Sequence, residues 1–212
     1  AGVVNTEDSG SEGNNQSGSI SFTGAGSVTV DIVETEALAE IGAGSTVNAS
    51  GDISITADDN SVIQADSGGA AITIENNDGT TACAIGASVA VNDITQTISA
   101  TATDTAITSG NFSATATNNA SITALTIAGS AAVSTGGGDA FGGAGSGSGN
   151  FISSTTIAGV LNPSGVKVLD VTGSITVEAT DSSVIDADAG SGALAVSTGS
   201  SDDSRLDRKS VV

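Results

Sequence analysis

The 212-residue sequence contains no histidine, methionine, tryptophan or tyrosine, and only one cysteine and one proline. Without histidine, the chain can form neither a Ser–His nor a Cys–His catalytic dyad and has no imidazole ligand for a metal ion. A single cysteine excludes a disulfide framework within the chain and a cysteine-rich zinc site. These absences exclude most nucleophilic catalysis and most transition-metal chemistry.

Positively charged residues are also scarce. Four Lys and Arg residues stand against 24 Asp and Glu residues, the formal net charge is −20, and Lys167 is the only basic residue among the first 200. Nucleic acids and anionic membrane surfaces should repel such a chain. No run of about eighteen apolar residues suggests a transmembrane helix. We therefore expect no nucleic-acid partner and no membrane insertion by this segment.

The residues that are abundant favour β-structure. The sequence contains nineteen Val and eighteen Ile against six Leu, together with 29 Gly. β-Branched residues favour strands, and glycine favours the turns between them. The mean hydropathy of +0.19 favours a folded chain over a disordered low-complexity one. The composition therefore predicts an all-β fold.

Internal repeats are the strongest pattern in the sequence. Three fifteen-residue segments that begin at Gly51, Gly110 and Gly173 align without a gap, at spacings of 59 and 63 residues: GDISITADDNSVIQA, GNFSATATNNASITA and GSITVEATDSSVIDA. The alignment predicts about three units of about 60 residues, at 19–82, 83–149 and 150–206. Residues 1–18 resemble the end of a preceding repeat. Residues 207–212 resemble translated sequencing-adapter DNA, so we expect a non-native tail there.

Within each unit, apolar residues alternate with polar ones, which is typical of half-buried strands. We expect the apolar members to point into a core: Val28, Val30 and Ile32; Ile53, Ile55 and Ala57; Phe112, Ala114 and Ala116; Ile175, Val177 and Ala179. Alanine at these positions suits a narrow core. A chain of small β-sandwiches is the competing architecture, but 2% aromatic residues supply few bulky side chains for sandwich cores.

The unit length suggests how the chain coils. Strands of about five residues with short turns complete one coil of a β-solenoid in about twenty residues, so a unit of about 60 predicts three coils. We place a bend between two strands at each polar corner, where Asp and Asn side chains can cap their own turns. The corners are Asp58–Asn60, Thr117–Asn119 and Thr180–Ser182.

The phrases GSTVNASGDI, from Gly44, and GASVAVNDI, from Gly86, together with the alternating Ala, Thr and Ser strands, resemble repeats of very large bacterial adhesins of the filamentous-haemagglutinin and leukotoxin-like type. The resemblance covers most of residues 19–198. It implies a right-handed parallel β-helix, export to the bacterial cell surface or the extracellular space, and a role as filament, stalk or adhesin. The partners it implies are adjacent repeats of the same chain and a surface receptor or polysaccharide.

Parallel β-helices also occur in enzymes that cleave polysaccharides, which makes paired carboxylates candidate catalytic groups. Glycoside hydrolysis needs two carboxyl groups about 5 to 9.5 Å apart, one of them with a raised pKa. Sugar subsites usually have aromatic floors, and Trp and Tyr are absent. We therefore interpret the carboxylates as a solvated face and predict no catalytic residue. They are Asp58 with Asp59, Asp66, Asp186 with Asp188, and Asp202 with Asp203.

Calcium is the most credible metal for this composition, because acidic turns offer the oxygen ligands that Ca²⁺ prefers. The segment Gly142–Gly147 nearly spells the calcium-binding pattern Gly-Gly-x-Gly-x-Asp, but glycine stands in place of the final Asp, and the pattern does not recur. We expect no cofactor and no specific metal ligand, and at most weak binding of Ca²⁺.

Alternating threonines raise ice binding as a third hypothesis. Thr101, Thr103 and Thr105 alternate along one unit, as do Thr115 and Thr117. Aligned positions in the other units carry Asp58 and Glu178, so the expected threonine ladder is interrupted. Threonine is also a good strand former, which explains the pattern without ice.

The lone Cys83 and the four phenylalanines at 22, 112, 141 and 151 are interpreted as core residues. The Gly-rich stretch Gly136–Asn150 is interpreted as a variable loop, the place where we expect a partner to bind.

Overall fold

The structure is a computed structural model that describes residues 19–163, 165 and 169–199. This part of the chain contains strands and turns only, with no helix that could cross a membrane. The predicted preceding-repeat segment 1–18, the tail 207–212, Lys167, Asp202 and Asp203 lie outside the described residues.

Twelve strands follow one another in three rounds of four. The first round is β1 (Ile20–Ile41), β2 (Thr46–Asn48), β3 (Ile53–Asp59) and β4 (Val62–Glu75). The second is β5 (Thr81–Thr103), β6 (Ala106–Ser109), β7 (Phe112–Asn118) and β8 (Ser121–Ser134). The third is β9 (Ala140–Leu161), β10 (Leu169–Val171), β11 (Ile175–Asp181) and β12 (Val184–Ser197).

Corresponding strands of successive rounds pair in parallel and form four three-stranded sheets: A (β1-β5-β9), B (β2-β6-β10), C (β3-β7-β11) and D (β4-β8-β12). Ile53, Phe112 and Ile175 are register partners, so the fifteen-residue sequence alignment is also the strand register. The predicted all-β parallel solenoid of three repeats is confirmed.

The predicted three coils per unit are wrong, because each unit makes one coil of about 60 residues. The first strand of each coil is 22 or 23 residues long, several times the usual strand length of about five or six. Glycine was expected to mark turns, but Gly69 and Gly86 lie inside strands, at points where sheets A and D are so close that a side chain would not fit.

The core narrows from one end of the coil to the other. At the wide end, near sheets B and C, Phe112 packs with Ile98 and Ile107. At the narrow end, between sheets A and D, the buried cluster contains only alanines, at 71, 82, 84 and 132. The alanines predicted to line a narrow core, Ala57, Ala114 and Ala116, are buried but lie at the wide end beside larger side chains, and the all-alanine cluster is at the other end.

Glycine lets sheets A and D approach each other at the narrow end. A Cβ atom at Gly69 would lie 2.4 Å from the carbonyl oxygen of Ala87, and one at Gly86 would lie 2.2 Å from that of Gly129. Real Cβ atoms do not come so near a backbone oxygen, so any side chain at either position would force the sheets apart.

The expected orientation of Val28, Val30 and Ile32 is wrong. The side chains of Val28 and Val30 are 75% and 58% exposed, and Ile32 is exposed as well. Ser27 points inward instead and lies 2.7 Å, Oγ to Oγ, from Ser67. A period of two shows that the faces alternate but not which face is buried, and the narrow end accommodates serine better than valine.

The alternating sets of β3 and β7 lie on the inward face, whereas the third set, in β11, occupies the corresponding register positions but is exposed. Ile55 and Ala57 are buried, as are Phe112, Ala114 and Ala116. In the third coil, Ile175 and Val177 are exposed although their register partners Phe112 and Ala114 are buried.

The polar corners are confirmed, with one Asp or Asn side chain at each. Each side chain accepts a hydrogen bond from the backbone N–H two residues later, which fixes the bend between sheets C and D. The bonds run from Ser61 N to Asp59 Oδ1 (2.8 Å), Ala120 N to Asn118 Oδ1 (3.1 Å) and Ser183 N to Asp181 Oδ1 (2.9 Å).

The loop expected at Gly136–Asn150 is mostly a strand. Only residues 135–139 form a turn, and β9 begins at Ala140 and pairs with β5 along its whole length. Glycine and serine form strand here because β5 supplies a backbone partner for each residue.

Candidate functional site

The candidate catalytic carboxylates in the described part of the chain do not converge on one site. Asp58 and Asp59 are consecutive strand residues, so Asp58 is exposed while Asp59 is buried. Asp186 and Asp188 share the outer face of β12, at the spacing of about 7 Å that two strand residues span. Asp66 is separated from its counterpart Asp188 by Leu125 in the strand between them.

A row of polar side chains lies at the corner between sheets C and D. Asp59, Asn118 and Asp181 stack in register along this row; Asp59 and Asn118 are buried, and Asp181 in the third coil is exposed. The Gln96 amide donates a hydrogen bond to the Asp59 carboxylate, and the Ser154 hydroxyl donates one to Asp181. Asp59 and Asp181 thereby join the corner to sheet A, and Asn118 joins its coil to the next by donating to Asp181 and Ser183, which is a structural role.

Among the carboxyl groups of this row, that of Asp181 has the most clearly shifted pKa. The hydrogen bond from Ser154, followed by that from the Ser183 side chain, lowers the pKa of Asp181 from 3.8 to about 2. A general acid for glycoside hydrolysis requires a shift in the opposite direction. The row therefore stabilises a carboxylate and does not prepare a proton donor.

We expect Asp181 to make stability depend on acid pH. Its pKa is lower in the folded chain, so its contribution is complete above pH 3.8 and is lost as the pH falls through about 2. Asp181→Asn should lower the melting temperature at pH 7 and have progressively less effect towards pH 2. Ser154→Ala should raise the pKa of Asp181, as measured by NMR titration of the carboxyl carbon. An unchanged titration in Ser154→Ala would contradict this assignment.

A second inward polar row runs through sheet A and was not recognised in the sequence. Asp31, Asn92 and Asn150 are register partners. The fully buried Asn92 donates from Nδ2 to Asn150 Oδ1 at 2.6 Å, and its own Oδ1 has no partner within the described residues. Asp31 also borders an open surface depression of about 280 Å³ lined mainly by apolar residues of β1 and β4. It is the only carboxylate among the residues that line this depression.

The described residues contain no group of three or more Asp, Glu, Cys or His side chains that could hold a metal ion. The near-match to the calcium pattern, Gly142–Gly147, runs as extended strand inside β9, so it does not form a calcium-binding turn there.

The threonine rows are interrupted as expected. Thr115 has Glu178 as its partner in the next coil, and Thr101 lies between Glu40 and Gly159 in sheet A. Thr105 is buried, so it cannot belong to a surface ladder.

Three of the four phenylalanines and Cys83 were misplaced in the sequence interpretation. Phe112 is 1% exposed, but Phe141 and Phe151 are 59% and 61% exposed. Cys83 is partly exposed and alternates with the buried Ala82 and Ala84, so it lies in the outward row between Phe22 and Phe141. Phe22, Cys83, Phe141 and Phe151 therefore belong to the surface and not to the core.

The outer face of sheet A therefore carries exposed apolar side chains, as does that of sheet D with Ile72, Ile74 and Leu194. Its rows place Val28 beside Val89 and Val30 beside Val91, and continue to glycines in β9. Further along the same strands, the outward positions carry Glu34, Glu36 and Glu40 in β1 and mainly threonine and serine in β5.

No protein-family model, curated protein or solved structure matches this chain.

Proposed function

We propose that this chain is a structural and adhesive segment of a large secreted or cell-surface bacterial protein, in which repeats stack and present their outer faces for attachment. The observation that carries the proposal is that each repeat forms one coil and the coils stack in register. Surface rows therefore continue from coil to coil, whereas catalysis requires carboxylates brought together in one groove. The resemblance to adhesin repeats and the high negative charge support the same function and an extracellular location.

The large size of each coil favours a role in attachment over a role as a stalk. Each coil lengthens the solenoid by only about 4.8 Å, while a first strand of 22 residues extends about 73 Å across the face. A stalk built in this way would need very many residues for little length. Each added coil does, however, enlarge a wide and flat surface, which suits contact with a receptor, a polysaccharide or another surface.

The proposal can be tested with beads that carry the purified chain. We expect these beads to resist shear flow on apolar or polysaccharide-coated glass better than beads that carry an unrelated acidic protein. The soluble chain should leave the same polysaccharides uncut in assays for reducing ends and unsaturated sugars. Cleavage by the wild-type chain that disappears in Asp186→Asn/Asp188→Asn would favour the alternative of a carbohydrate-cleaving β-helix. Equal retention of the two kinds of bead on every surface would contradict the adhesive role.

A further inference from the structure

The outer face of sheet A is divided into two parts of different chemistry. We call the outward residues of 20–31, 81–92 and 140–150 the apolar half, and those of 32–41, 93–103 and 151–161 the acidic half, which begins with the row of Ile32, Asp93 and Phe151. The outward positions of the apolar half hold no Asp or Glu. They include the exposed Val28, Val30, Val89, Val91 and Phe141.

The chemistry of the apolar half argues against a sugar as its ligand. Valine, isoleucine, phenylalanine and glycine dominate its outward positions, and their side chains offer no hydrogen-bond donor or acceptor. The backbone groups are engaged in the strand ladders of sheet A. A polysaccharide would therefore lose its water on this surface without gaining hydrogen bonds, whereas another apolar surface would lose little.

Charge restricts how a second apolar surface can approach. All four basic residues of the chain lie outside the described part, which therefore carries acidic charge only. A second copy can approach favourably only if its carboxylates stay distant. A two-fold axis parallel to the solenoid axis, placed at the middle of the apolar half, meets this condition: it lays the two apolar halves over each other and directs the two acidic halves to opposite sides.

We propose that two copies of this chain associate side by side through the apolar halves of their sheets A. The inference does not rest on the adhesive role.

The area available sets the expected strength. Twelve strand residues by three strands give a patch of about 40 Å by 14 Å, or about 560 Å². A patch of this size is at the upper end for a monomeric protein. A stable interface needs about 800 Å² from each partner, so three coils should associate weakly. Every additional coil extends the same patch, and a longer array of such coils should pair more tightly.

Sedimentation equilibrium of the full chain tests the proposal, with a matched pair of variants on one strand. Between about 10 µM and 1 mM, a range that covers weak association, the average mass should rise towards twice that of the monomer. Val89→Asp/Val91→Asp should weaken association at least tenfold. Thr95→Asp/Thr97→Asp adds the same charge to the acidic half of β5 and should leave association within about twofold of wild type. Added salt should strengthen wild-type association, because it screens the repulsion between the two acidic chains.

Cys83 provides a second readout, because it is the only cysteine and lies in the apolar half. Its alkylation by iodoacetamide should slow as the wild-type concentration rises. Association that leaves this rate unchanged would show that the copies stack through their open sheet edges or through sheet D, and would overturn the proposal. So would a wild-type chain that stays monomeric throughout, or equal weakening by both double variants when circular dichroism shows both to be folded.

Discussion

Replacing Gly86 with alanine should destabilise the chain by about 3 kcal/mol or more, at the upper end of the cost of overpacking a core. The new Cβ atom would lie 2.2 Å from the carbonyl oxygen and 3.0 Å from the carbonyl carbon of Gly129. Both contacts are with backbone, so no side chain can rotate to relieve them. Sheets A and D would have to separate, and the alanine cluster between them would lose its packing.

Gly147→Ala is the matched control, because Gly147 also lies within a long strand of sheet A, yet a Cβ atom added there would meet no heavy atom within 4 Å beyond its chain neighbours. Alanine there should leave stability unchanged or raise it by about 0.4 to 1 kcal/mol, since it restricts the unfolded chain. Urea unfolding followed by far-ultraviolet circular dichroism measures both variants, as the chain lacks Trp and Tyr. Equal midpoints for Gly86→Ala and wild type would show that the two sheets are not so close.

The sequence predicted what depends on repetition and local chemistry. The gap-free alignment from Gly51, Gly110 and Gly173 became the strand register, because parallel stacking places equivalent residues of successive coils beside each other. The corner residues Asp59 and Asn118 cap their turns, because that bond joins atoms only two residues apart. Neither inference requires knowledge of how distant strands pack.

The size of the coil could not be predicted in the same way. Glycine serves both as a turn residue and as a strand residue where two backbones approach closely, and only the opposite sheet distinguishes the two uses. The segment Gly142–Gly149 contains the residues of a loop but forms part of β9, because β5 pairs with it throughout. Short strands were therefore expected where long ones occur, and one coil was divided into three.

The inner and outer faces of β1 were also beyond prediction from periodicity. Val28 would be expected inside on hydrophobicity alone, yet Ser27 faces the core and contacts Ser67. An inward valine side chain at the narrow end would need space, but the backbones of sheets A and D lie too close together at Gly69 and Gly86 to leave any. The apolar half of sheet A, and with it the proposed contact between copies, follows from this tight packing.

The same argument from side-chain size predicts a second large effect on stability, at the wide end of the core. Phe112→Ala should destabilise the chain by about 3 to 5 kcal/mol, the usual cost of removing a buried phenylalanine ring. Phe112 is 1% exposed and lies in the middle coil, where the strands of the first and third coils cover it on both sides. It packs with Ile55, Ile98 and Ile107. None of these side chains is large enough to fill the space that the phenylalanine ring would leave.

The same substitution at Phe151 is the control. Its side chain is 61% exposed on the outer face of β9, so Phe151→Ala should change stability by no more than about 0.5 kcal/mol. Urea midpoints measured at a low protein concentration keep any association of copies from contributing. If Phe112→Ala and Phe151→Ala had the same small effect, the ring of Phe112 would not be packed in the core, and the wide end of the solenoid would not be closed as described. A large loss at Phe112 alone would establish that the two ends of the coil are stabilised differently: one by a few large side chains, the other by the absence of side chains.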